Sequence, residues 1–167
     1  MDALFDKSLK PHKEHVRSEW VDYNGHMNVA YYMLVFDHAS DVFLDQIGLD
    51  QAFRDSTNSS VFVVEAHLTY ENEVMEGDAL IVATRVLDFD VKRIHLFHRM
   101  VQEGSDETVS TNELMILYVD MQIRRSANMP GTITEHLLGL QKRQEARQMP
   151  VQAGRSIGIS KKNKLQI

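Results

Sequence analysis

The stretch Trp20-Val21-Asp22-Tyr23-Asn24-Gly25-His26-Met27-Asn28 holds the residue types most suited to chemistry in this 167-residue chain. Asp22 supplies a carboxylate, Gly25 a tight turn, and Asn28 a strong helix N-cap before an apolar-striped segment. Amides at the first turn of a helix lack intrahelical acceptors and carry the positive end of its dipole. A carboxylate beside them can attack a carbonyl or direct water at it while the amides hold the developing oxyanion. The segment therefore contains the parts of an acyl-transfer site. Asp22 can equally be a turn or cap residue, which Asp often is.

Around this element the sequence supplies further groups. Val29 and Ala30 are the amides expected to face a ligand. His26 can orient Asp22, bond a substrate, or simply fix the turn, since an imidazole both donates and accepts near neutral pH. Trp20, Tyr23 and Tyr31 concentrate aromatic rings near the turn; they suit a quaternary ammonium group, or they are ordinary core. Glu65, on a later strand face with His67 and Thr69, would add negative charge or lie in solvent. No cysteine is present, so thiolate nucleophiles, thiolate metal sites and disulfides are excluded. His-Glu-x-x-His spacing is absent and the remaining histidines are scattered, so neither a metal nor a cofactor is expected.

The elements that must position these groups follow from periodicity. Alternation over His15–Val21 predicts a first strand. Val29, Tyr32, Met33, Phe36, Ser40, Phe43, Leu44 and Ile47 fall at three-and-four spacing, predicting a helix from about Asn28 to Gln46, stopped at Gly48. Asp37, His38, Asp41 and Asp45 make its polar side. Residues 49–59 are polar and read as a loop. The period then becomes two: strands are predicted at Val61–Tyr70, Ala79–Phe89, Lys92–Val101 and Thr108–Ile123, with turns at Glu76-Gly77-Asp78, Asp88–Asp90 and Glu103–Asp106. A second helix is predicted from about Thr132 to Arg147. The order implies an α+β domain of about five antiparallel strands and one long covering helix over residues 1–125, with a lead-in at 1–12, and a C-terminal helix and basic tail over 126–167.

Net charge is −6, unevenly spread. Residues 141–167 carry seven Lys/Arg against Glu145, so the tail stands at +6 and the body at −12. An acidic body argues against nucleic acid as a partner. Neither a secretory leader nor a membrane span is visible, and a cytoplasmic location away from membrane is expected.

Asp22-x-x-Gly25-His26-x-Asn28 before a helix, with Glu76-Gly77-Asp78 opening the third strand, resembles the hotdog-fold acyl-CoA thioesterases of the group that includes 4-hydroxybenzoyl-CoA thioesterase, over roughly residues 13–125. Phe36-Asp37-His38-Ala39, Ser60–Glu65 and Gly154–Ile159 are more narrowly similar to the thioesterases of carnitine breakdown, which release glycine betaine and coenzyme A from betainyl-CoA. The resemblance implies a sheet wrapped around the long helix and a homodimer or tetramer with sites at the subunit interface. It also implies an acyl-CoA substrate, Asp22 as the catalytic acid, and Lys92 and Arg93 near the coenzyme A nucleotide. Two alternatives stay open: a thioesterase for aromatic or medium-chain acyl groups, and a non-catalytic acyl-CoA-binding domain. A hydratase would need an Asp/His pair on the central helix, and Asp37 and His38 both lie on its polar side.

Overall fold

The computed structural model describes residues 8–159. The two-residue period after residue 58 becomes the strands β2 (Ser59–Tyr70), β3 (Ala79–Phe89), β4 (Arg93–Gln102) and β5 (Thr108–Asp120), which β1 (His12–His15) joins. They form one antiparallel sheet in the order β1-β3-β4-β5-β2. A two-residue β6 (Arg125–Ser126) pairs with the end of β5. The long helix α1 (Val29–Gln46) lies in the curl of this sheet, as the α+β hotdog reading requires.

Two apolar clusters run along α1. Its first half, Tyr32, Val35, Phe36 and Ala39, packs on Val82 and Met100 of the sheet and on Trp20, Met27 and Val74. Its second half, Phe43, Leu44 and Ile47, packs on Val86, Ile94, Leu96 and Ile116. Ile133, Leu137 and Leu140 of α3 (Gly131–Gln144) join that second cluster. Each such side chain, fully buried, contributes about 1.5–3 kcal/mol. The buried stripe is rotated from the predicted one: Val29 and Met33 lie exposed and Val35 and Ala39 take their place in the core. Ser40 stays buried because its hydroxyl donates to Phe36 O and meets His98.

Three further differences have local causes. The predicted strand at His15–Val21 is instead the shorter β1 followed by a 3-10 turn at Ser18–Trp20, with Val21 bridged to Met27. The predicted loop at 49–59 contains a helix, α2 (Gln51–Thr57). Asp50 caps it by accepting from Phe53 N, Asn58 ends it at φ +48°, and Gln51 pairs with Asp55 four residues on. The alternation of β2 breaks at a bulge between Val63 and Glu65, which leaves Val64 without a partner on β5.

β2 is a sheet edge, and it is apolar. Phe62, Val63 and Val64 are each more than a third exposed along it.

Candidate active site

The segment from Trp20 to Asn28 forms a closed loop on the end of α1. Gly25 stands at φ +85°, a conformation that favours glycine, and its N–H donates to Asp22 O at 2.9 Å. Asp22 N donates to His26 O, Met27 N to Val74 O, and Asn28 N to Trp20 O. The loop's backbone is thus tied at both ends and to the segment before β3.

This backbone places Asp22 beside the helix N-terminus. Its Oδ1 accepts from Asn24 N at 2.8 Å and its Oδ2 from Asn28 Nδ2 at 3.3 Å. Asn28 is also the N-cap of α1, its Oδ1 accepting from Ala30 N at 3.0 Å. Ala30 N is therefore taken, and Tyr31 N is satisfied by Asn28 O. Of the amides expected to face a ligand, Val29 N–H is the one left without an acceptor among the described residues. The carboxylate and one unpaired helix amide stand on the two sides of Asn28. That is the minimum needed to attack a carbonyl, or to direct water at it, while holding its oxygen.

The other expected residues separate. Trp20 is buried, its ring stacked on Tyr31 at 5.4 Å and overlain by the Arg17 guanidinium at 4.8 Å. It is core rather than an open aromatic wall, and it occupies the face of Tyr31. Tyr23 is at the exposed tip of the loop. Glu65 lies exposed on β2 after the bulge. His26 turns away from Asp22: its Nδ1 sits 3.3 Å from Met27 O and its Nε2 4.0 Å from Glu73. Lys92 and Arg93 sit at the β3–β4 turn, beside the second core cluster and so at the far end of α1 from Asp22. Arg93 is engaged there: its Nε and Nη2 donate to Asp90 Oδ2 at 2.8 and 2.6 Å. These bonds and two backbone amides hold the Asp90 carboxyl down to about 2. Asp37 and His38 do not act together; His38 is bonded to Glu14 at 2.8 Å.

What sequence reasoning missed is a cleft of about 290 Å³ opening beside Val29. His26, Tyr32, Tyr70, Glu71 and Glu73 line it. The rings of Tyr32 and Tyr70 meet edge to face at 5.3 Å. Burial pushes both phenols above their ordinary value, so both rings are neutral at physiological pH. Tyr70 to Glu73 lie at the end of β2, more than forty residues from the motif, and no local spacing signals that they return to it.

Comparison with known proteins identifies the family. Residues 16–137 match the model of the thioesterase-like superfamily. The betainyl-CoA thioesterase of Pseudomonas aeruginosa is 38% identical over 151 residues, which cover 90% of this chain and 95% of the relative. The L-carnitine dehydrogenase/betainyl-CoA thioesterase of Agrobacterium fabrum is 40% identical over 91% of this chain, which spans 31% of that longer protein. A Staphylococcus aureus protein solved in complex with CoA superposes with a TM-score of 0.86, at 31% identity, covering 96% of this chain and all of the other.

Proposed function

The chain belongs to the thioesterase-like superfamily and is a thioester hydrolase of the hotdog fold, and we propose that its substrate is betainyl-CoA, cleaved at Asp22. The observation that carries the mechanism is Asn28 holding Asp22 Oδ2 with one end of its amide and capping α1 with the other. The thioester carbonyl lies between Asp22 and Val29 N–H. Asp22 either adds to the carbonyl carbon, giving an anhydride that water opens, or takes a proton from the water that adds. In both routes the carbon–sulfur bond breaks, the coenzyme A thiolate leaves and gains a proton, and glycine betaine is released. Both pass through a tetrahedral oxyanion, for which the helix dipole and Val29 N–H are the stabilising groups. One such donor is worth about 3–4 kcal/mol of barrier.

Two features favour a cationic acyl group. Relatives at 38% and 40% identity are named as betainyl-CoA thioesterases. The cleft at Val29 offers the exposed ring of Tyr70, backed by the buried ring of Tyr32, and two carboxylates, groups that attract a trimethylammonium cation. This cleft takes the place of Trp20, Tyr23 and Tyr31 as the aromatic site, since Trp20 and Tyr31 are stacked on one another.

The functional unit is proposed to be at least a dimer formed along β2. Among the described residues that strand has a free edge and exposed apolar side chains, a combination that pairing with a second copy removes. A second copy is also what would bring Lys92 within reach of coenzyme A, because in one chain it lies at the wrong end of α1. Among the described residues no helix is long and apolar enough to cross a membrane.

Release of free thiol from betainyl-, acetyl-, 4-hydroxybenzoyl- and hexanoyl-CoA tests the assignment. A kcat/KM for betainyl-CoA at least tenfold above the other three is the expected result. Preference for another thioester would overturn the acyl assignment, and no release from any would overturn hydrolysis.

A further inference from the structure

Away from the catalytic loop, two histidines and a glutamate converge between the edge strand β1 and the polar side of α1. His12 and Glu14 are two apart on β1 and so share a face. His38 projects to them from α1. Glu14 Oε2 lies 3.0 Å from His12 Nε2 and 2.8 Å from His38 Nδ1, and the three atoms all lie within 4.8 Å of one another. His12 and Glu14 are largely buried, at 14% and 10% side-chain exposure, while His38, at 36%, leaves one side open to solvent. One carboxylate oxygen therefore faces two ring nitrogens.

We propose that this cluster is a mononuclear site for a divalent transition metal of borderline softness, represented by Zn²⁺. His12 Nε2, His38 Nδ1 and Glu14 Oε2 would be its three protein ligands. Two imidazoles and one carboxylate are a ligand set that such ions prefer. Bonds of about 2.0–2.2 Å in a tetrahedral arrangement set ligand atoms about 3.3 Å apart. Each nitrogen moves a few tenths of an ångström from Glu14 Oε2, and the two nitrogens, which lie within 4.8 Å of each other, close to about the same separation. Each imidazole would present its metal-facing nitrogen without a proton, the tautomer that ligation requires. A fourth position is left on the open side, next to His38.

The surroundings support the assignment. Asp41, one turn beyond Asp37 and His38 on α1, lies within electrostatic reach of His38 and adds negative charge near the site. The second oxygen of Glu14 is held by Arg17 Nη2 at 2.9 Å, the kind of outer bond that orients a ligating carboxylate. Arg17 is a cation and lowers the affinity, but it leaves Oε2 to the histidines. It also lies over Trp20, whose carbonyl accepts from Asn28 N. A metal at Glu14 would thus anchor β1 to α1 and stiffen the support of the catalytic loop without touching substrate. Sequence spacing could not reveal the site, because one ligand comes from a different element 24 residues on.

The full chain, freed of any affinity tag and treated with a chelator, would be titrated with Zn²⁺ by calorimetry and with Co²⁺ by visible absorption. One equivalent per chain is expected, with the intense Co²⁺ bands of a four-coordinate site. Glu14→Gln and His38→Ala should each weaken binding at least tenfold. His15→Ala, on the opposite face of β1, should leave it unchanged. Should Glu14→Gln fail to fold by circular dichroism, the more exposed His38→Ala carries the test. Binding at less than one equivalent, or binding that survives His38→Ala and Glu14→Gln, would overturn the proposal and leave the cluster a hydrogen-bonded tie.

Discussion

Asn28 binds Asp22 to the first turn of α1: its amide nitrogen donates to Asp22 Oδ2 at 3.3 Å while its amide oxygen caps Ala30 N at 3.0 Å. The carboxylate is thereby fixed relative to the helix dipole by one side chain. Replacing Asp22 with Asn keeps the shape and removes the charge. Turnover should fall by roughly 10²–10⁴-fold. The amide, which can accept from only one of the two donors, lowers stability by about 1 kcal/mol and leaves the chain folded; thiol release and calorimetry measure the two. Near-normal turnover would make Asp22 a turn residue only.

Asn28→Asp separates the two tasks of that side chain. An aspartate still caps Ala30 N, so helix stability should hold to within about 1 kcal/mol. It loses the donor to Asp22 and sets a like charge beside it, so the carboxylate is no longer held against the first turn of α1. The kcat/KM should fall at least tenfold, measured by thiol release. An unchanged kcat/KM would mean that Asn28 serves only as a cap.

A single turnover in H₂¹⁸O separates the two chemical routes. If Asp22 attacks directly, ¹⁸O enters its side chain; if it activates water, the label goes only to the released acid. Mass spectrometry of the peptide containing Asp22 reads the outcome.

The cleft beside Val29 should set the acyl preference. Tyr70→Leu and Glu73→Gln are expected to raise KM for betainyl-CoA about tenfold and to change acetyl-CoA much less. Equal losses on both substrates would remove the cleft from cation recognition.

His98 makes stability depend on acid. It is fully buried, with Ser40 Oγ 3.0 Å from Nε2 and Thr84 Oγ1 3.0 Å from Nδ1. Burial, reinforced by His12, lowers its pKa from 6.5 to about 3. The unfolded chain therefore takes up this proton first, and stability is lost as pH falls from about 6.5 toward 3. Between pH 7 and pH 4.5 the loss from His98 is about 2–3 kcal/mol. Glu14, held below its usual value by its histidine bonds against the opposing effect of burial, acts in the same direction. His98→Gln, which can keep the bond at the Nε2 position and does not titrate, should flatten the slope of urea stability against pH. An unchanged slope would refute the account.

Much of this was legible in the sequence. Asn28 as a cap, Gly25 in a turn and the length of α1 all rest on local backbone preferences, and the structure has them where those preferences point. The rest depends on pairing at a distance. The bulge after Val63 comes from the register against β5, so strict alternation put Val63 and Glu65 on one face when the fold separates them. α2 was hidden because its seven residues bury no side chain fully and are held by caps. Trp20 looked available to a ligand because composition near the turn does not reveal that Arg17 and Tyr31 fill its surroundings. Tyr70 and Glu73 lay too far along the chain to be associated with Asp22.

Hydrolytic machinery and one wall of the acyl cleft occupy different pieces of this chain. The first is held by backbone bonds within residues 20–31, the cleft wall facing His26 and Tyr32 sits on residues 70–73, and Met27 N to Val74 O joins them. Substitutions on the second piece leave the bonds of the first intact. A lineage can therefore exchange one acyl group for another in single steps without passing through an inactive ancestor, and laboratory evolution aimed at residues 70–73 should retain hydrolysis in most of its variants.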